Sequence, residues 1–143
     1  MGLLDDRRRL VLEHTTMRQR WPQARWCCNK DRSVFWWEMD VVIEGNRFPI
    51  VIVYPDDYPD SPPEIVVDRS LPVGTPHLIA GRGGPIRGPR LCWNYPGDQG
   101  RKRNVWNPAT DTAATAAMAA YRWCMAFLVW LSTLDWPVPD ALE

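Results

Sequence analysis

Between Phe35 and Glu44 the chain alternates. Phe35, Trp37, Met39, Val41 and Ile43 fall on one side, and Trp36, Glu38, Asp40 and Glu44 on the other. A period of two predicts a strand with one face in the core. Glu44-Gly45-Asn46-Arg47 predicts a hairpin turn, because glycine and asparagine tolerate positive φ. Phe48, Ile50, Ile52 and Tyr54 repeat the pattern on the returning strand. Pro49 has no N–H to donate and is expected at an edge or a gap in the ladder. Ile65-Val66-Val67 predicts a further strand, and Arg25 to Asn29 one at the start, giving a four-stranded antiparallel meander. Cys27 and Cys28 then point to opposite faces, and no disulfide is expected between them.

Helical spacing flanks this meander. Leu3, Leu10, His14, Met17 and Trp21, with Val11 beside them, predict a helix over residues 3–20 that Pro22 ends. Asp5 and Asp6 in its first turn and Arg18 and Arg20 in its last suit the helix dipole. His14 shares the apolar face and is expected to pack there. Arg7 to Arg9 oppose the dipole and read either as a solvated face or as a docking face. A second helix is expected from about Asp111 to Leu134, with Thr110 or Asp111 as cap and Pro137 as stop. Its alanines favour helix and allow close approach to a sheet, and Cys124 is expected in the core. After Asp111 that run carries one charge, Arg122, and is long enough to cross a bilayer of ~30 Å. Its alanine- and threonine-rich first half is too weakly apolar to insert well, so no membrane span is expected. Between the strands, Tyr54 to Pro63 holds four prolines and two tyrosines, a rigid turn that packs down. Helices covering an antiparallel sheet make an α+β fold.

Composition narrows the function. At 143 residues a single domain spanning 1–143 is expected. Seventeen basic and 17 acidic side chains cancel, so net charge points to neither nucleic acid nor an anionic membrane. Four cysteines without CxxC spacing and two histidines make a zinc site unlikely by spacing, and no metal or cofactor is expected. Asp5 to Arg9 interrupt any apolar N-terminal run, which fits a reducing cytoplasm.

The candidate chemistry lies at Leu91-Cys92-Trp93. A Gly/Pro/Arg loop, residues 81–90, precedes it, and a polar loop, Asn94 to Asn104, follows it. Two readings of Cys92 stand: a buried structural thiol, or a reactive one that a partner reaches. Arg82, Arg87, Arg90, Arg101, Lys102 and Arg103 put six positive charges in these loops against one Asp98. Such charge favours the thiolate and attracts an acidic surface or a C-terminal carboxylate; a solvated rim is the plainer reading. The loop glycines lack the Lys-Ser/Thr of a phosphate-binding loop.

Taken in order, these features resemble the ubiquitin-conjugating enzyme family. The run from Phe48 to Pro63 resembles the family's strand and its YPxxYPxxPP segment. His77 sits where the family has the histidine of its His-Pro-Asn tripeptide. Leu91-Cys92 resembles its nucleophile, and Trp106-Asn107-Pro108-Ala109-Thr110 its opening to the long helix. The resemblance implies a UBC-like fold: an N-terminal helix, a four-stranded meander, an irregular active-site loop and a long C-terminal helix. It implies that Cys92 accepts the C-terminus of a ubiquitin-like protein, or a similar protein tail, as a thioester and transfers it to an amine.

Implied partners are a ThiF-like activating enzyme and, as a possible target, a nucleotidyltransferase. Divergent bacterial members of this kind occur in antiphage systems. Cysteine-less relatives share the proline/tyrosine segment, so a non-catalytic binding module is the alternative. The sequence departs from the family at one informative place: Leu78 and Ile79 follow His77, and the family's oxyanion asparagine is missing. Asn94, Asn104, Asn107 or a backbone N–H are the candidates to replace it, with Asn94 nearest in sequence. His77 reads as a loop organiser or as a general base, and Asp98 or Asp111 as a group that orients the amine.

Overall fold

The computed structural model describes residues 3–79, 86–93 and 106–137. A 3-10 turn, Leu3–Asp5, leads into α1, Arg7–Arg20. The sheet holds β1 Arg25–Cys28, β2 Phe35–Ile43, β3 Asn46–Val53, β4 Glu64–Val67, β5 Leu78–Ile79 and β6 Arg90–Leu91. Its order is β1-β2-β3-β4-β6-β5, with every pairing antiparallel. The long helix α2 spans Ala113–Thr133.

The meander follows the alternating pattern, and two short strands extend it where an irregular loop was expected. Phe35, Trp37, Met39 and Val41 are buried on β2, as are Phe48, Ile50 and Ile52 on β3. At the hairpin, positive φ falls on Glu44 and Gly45, while Asn46 already belongs to β3. Pro49 pairs with Asp40, and its carbonyl accepts the Asp68 N–H at 2.8 Å. Its ring nitrogen faces the same side, just past the last β4 pair, so only the reciprocal bond to Asp68 at the end of the ladder is forgone.

Helix boundaries differ from the spacing because side chains, not periodicity, terminate helices. Asp6 accepts the Arg9 N–H at 3.0 Å and caps α1, which begins at Arg7 rather than at residue 3. Val11 is exposed, not beside the apolar face. His14 packs between Trp26 and Trp37, ring centroids 4.5 and 5.0 Å away. Thr112, rather than Thr110 or Asp111, caps α2: its hydroxyl accepts the Ala114 N–H, and the Thr115 hydroxyl accepts the Thr112 N–H, both at 3.1 Å. Leu134 closes α2 in the left-handed region, ahead of Pro137.

The buried face of α2 lies on the sheet. Ala113, Ala116, Ala117 and Ala120 let it approach closely, and Phe127 meets Phe48 edge to face at 5.8 Å. Cys124 is fully buried among them. By length and composition α2 could cross a membrane, a test that a core helix also passes.

One polar cluster ties the layers together. Arg7 and Arg8 are exposed, but Arg9 is buried, so the basic run is not one solvated or docking face. Glu13, with no exposed surface, accepts four hydrogen bonds: from Arg9 Nε at 2.9 Å, Tyr54 at 2.8 Å, Tyr58 at 2.5 Å and the Ala113 N–H at 2.8 Å. Arg9 also donates to Tyr58 at 2.8 Å and to the carbonyls of Pro108 and Asp111. Trp37 Nε1 completes the set by donating to Tyr54 at 2.8 Å. Burial and the Glu13 carboxylate push the Tyr58 hydroxyl well above its ordinary value, so it stays a donor. Removing one partner strands a buried charge, at a cost of about 3–5 kcal/mol. Glu13→Ala is therefore expected to lower the unfolding free energy by about that amount in urea titration, and a loss below about 1 kcal/mol would contradict the network's role.

Candidate active site around Cys92

Cys92 directly follows β6. Leu91 points into the core, so by alternation Cys92 and Arg90 face the opposite side of the sheet. Cys92 is half-buried and lines a groove of about 370 Å³ between the proline segment, at Pro55 and Ser61 to Pro63, and the sheet edge at Ile79. The Cys92 N–H donates to the His77 carbonyl at 2.9 Å. Antiparallel pairing of β5 with β6 places those two residues opposite each other.

Sequence-predicted residues fall into three groups. His77 and Cys92 are brought together, through the main chain. His77 takes φ +59°, and its ring packs on Trp136 at 4.7 Å, which in turn packs on Trp123 of α2. Its carbonyl is thus committed to Cys92 and its ring to Trp136. Asn107 and Asp111 are engaged elsewhere: Asn107 Oδ1 accepts the Ala109 N–H at 3.0 Å, and the Asp111 carboxylate accepts the Asn107 N–H at 2.9 Å. Those bonds close the turn before α2. Asn94, Asn104, Asp98, Arg82, Arg101, Lys102 and Arg103 lie outside the described residues.

Arg90 is not part of an exposed basic rim. It is buried and donates to the carbonyls of Gly88 and Ile86, each at 2.9 Å, with Nε 3.7 Å from Glu64 Oε1. Arg87 is exposed. Gly88, at φ +121°, sits where a Cβ would come within 3.3 Å of Val66 Cγ1, so this strap crosses β4 closely.

Two indoles brace the groove. Trp93 Nε1 donates to the Pro63 carbonyl at 3.2 Å, and Trp106 Nε1 to that of Pro59 at 2.7 Å. Their rings meet edge to face at 6.1 Å, and Trp106 packs on Tyr58 at 5.9 Å. The chain of contacts from Cys92 thus runs through both tryptophans into the Glu13 cluster. Glu64, which lines the same groove, was missed by sequence reasoning; its signal was the strand register, which needs the pairing to be known. Among the described residues no group of histidine, cysteine and carboxylate side chains could hold a metal ion.

The cysteines differ sharply in environment. Cys28 is exposed, and Cys27 and Cys92 are half-buried. Burial pushes the Cys124 thiol up to about 12. Since the thiolate is the reactive form, Cys124 is inert across the neutral range. At pH 8 iodoacetamide is expected to modify Cys92 and Cys28 and to spare Cys124 until urea unfolds the chain. Peptide mass mapping reads the result, and labelling of native Cys124 at the rate of Cys92 would contradict it.

Comparison with known families adds what geometry alone does not carry. The family model described as Type II CBASS E2 protein, E2-CBASS, matches residues 13–143. Neither curated proteins nor solved structures gave a match. The matched span takes in the whole sheet, α2 and Cys92. This chain belongs to the E2-CBASS family, the E2-like proteins of type II CBASS antiphage defence.

Proposed function

We propose that the chain is a UBC-like acyl carrier: Cys92 accepts a protein C-terminus as a thioester and passes it to an amine on a target. The observation that carries this reading is the setting of Cys92, a half-exposed thiol at the end of β6, in a groove and held by its main chain to His77. Membership of an E2-like family supports it, as does the contrast with inert Cys124.

In loading, the Cys92 sulfur attacks the activated carbonyl of the incoming tail, a C–S bond forms and the activating group leaves. In discharge, an amine attacks the same carbonyl, a C–N bond forms and the thiolate departs with the electron pair. Sulfur suits both halves, as nucleophile and as leaving group. A transient oxyanion needs a donor. The Cys92 N–H is engaged by His77, so the donor comes from elsewhere, and Asn94 is the nearest side-chain candidate in sequence. His77 serves as a positioning residue. The partners of this reading are a ubiquitin-like protein or other protein tail, a ThiF-like activating enzyme and, as target, a nucleotidyltransferase, all in the bacterial cytoplasm.

The test combines the protein with ATP, a ThiF-like activating enzyme and a ubiquitin-like protein or other protein tail. Wild type is expected to form an adduct that thiols cleave, and Cys92→Ala to form none. An adduct that persists in Cys92→Ala overturns the assignment. Phage protection that survives Cys92→Ser in cells would instead favour a non-catalytic binding module.

A further inference from the structure

We propose that Glu64 is a catalytic residue on the acceptor side, and that the groove beside Cys92 takes the side chain of a lysine. This inference rests on Cys92 as the acyl carrier.

The register places the pair. Val66 on β4 pairs with Arg90 on β6 in an antiparallel ladder, and extending that register past the end of β6 brings Glu64 level with Cys92. Ile65, Val67 and Leu91 belong to the core cluster. Glu64 and Cys92 therefore share the opposite face, where both line the same groove. Directly opposed residues in an antiparallel pair have Cβ atoms about 4.5–5.5 Å apart. A carboxylate in the same groove as the sulfur stands where an amine approaching an acyl group on that sulfur must pass.

Arg90 sets a positive charge beside the carboxylate without hiding it. Its two terminal nitrogens are engaged by the Ile86 and Gly88 carbonyls, and Nε faces Glu64 Oε1 at 3.7 Å. The arginine side chain is 4% exposed and that of Glu64 is 20% exposed. An incoming group thus meets the negative member of the pair. Apart from Ser61, the remaining walls are apolar, with Pro62, Pro63 and Ile79 among them. An unbranched aliphatic stem ending in a cation fits that chemistry: hydrocarbon along the walls and an ammonium at Glu64.

The proton balance is complete. The ammonium gives one proton to the Glu64 carboxylate, and the freed lone pair attacks the carbonyl carbon of acyl-Cys92. As the C–N bond forms, the C–S bond breaks and sulfur leaves with the electron pair. The second proton passes from the new amide nitrogen to the departing thiolate. The products are an amide, a free Cys92 thiol and a protonated Glu64, which returns its proton to water. General base assistance of this kind contributes typically about 10²–10⁴-fold.

The experiment loads the protein by thiol exchange with a glycine-terminated peptide thioester, with the adduct at Cys92 confirmed by peptide mass mapping. Discharge is then followed with lysine, a cation, and with hydroxylamine, which is neutral at the assay pH. Glu64→Gln is expected to slow discharge to lysine at least tenfold and to leave discharge to hydroxylamine within twofold. Glu64→Asp is expected to restore part of the lysine rate. Unchanged lysine discharge in Glu64→Gln overturns the proposal, and so does an equal slowing of both nucleophiles, which marks a role in folding alone. Labelling that persists in Cys92→Ala overturns the acyl-carrier reading and this inference with it.

Discussion

The fold hangs on one buried carboxylate. Glu13 accepts four hydrogen bonds from four separate places: its own helix, the two tyrosines of the proline segment and the first N–H of α2. A lone carboxylate in that position would be strongly disfavoured, because burial removes its hydration. Here Arg9, one turn earlier, supplies the counter-charge, and every donor is aligned. The N-terminus of α2 adds its dipole to the same end. An apolar cluster of equal volume could hold these elements together just as firmly. It would fix their relative placement less sharply, because hydrogen bonds are directional.

That placement is what the candidate site inherits. Arg9 grips the carbonyls of Pro108 and Asp111, setting the short turn between Trp106 and α2. Trp106 in turn bonds to Pro59 and meets Trp93, the neighbour of Cys92. Prolines contribute carbonyls without competing N–H groups, so the segment from Tyr54 to Pro63 presents fixed acceptors to both indoles. On the other side of the sulfur, His77 accepts the Cys92 N–H, and its ring leans on Trp136. The thiol is therefore held by its surroundings on both flanks.

The extra strands sharpen the chemistry. Short pairings of β5 and β6 turn a nominal loop into an ordered edge, where the Cys92 N–H meets the His77 carbonyl and Cys92 shares a groove with Glu64. The basic residues that sequence reading gathered around Cys92 separate under this geometry: Arg90 belongs to the sheet and lies beside Glu64, whereas Arg87 faces solvent. A count of charge along the chain treats them alike; burial does not.

Alternation and helical spacing determined the meander, the two helices, the buried faces of β2 and β3 and the core position of Cys124, because each of those signals is local and repeats. Motif order also marked Cys92, since its neighbours carry the pattern. Tertiary structure decided the rest. Which threonine caps α2, where φ turns positive in the hairpin, and whether Arg9 is solvated or buried all depend on groups brought from elsewhere in the chain. Glu64 shows the limit most clearly. In sequence it is a polar residue 28 positions before Cys92, with nothing to link the two. Only the pairing of β4 with β6 sets carboxylate beside thiol, because strand register joins residues by hydrogen bonds across space and leaves no trace in their spacing.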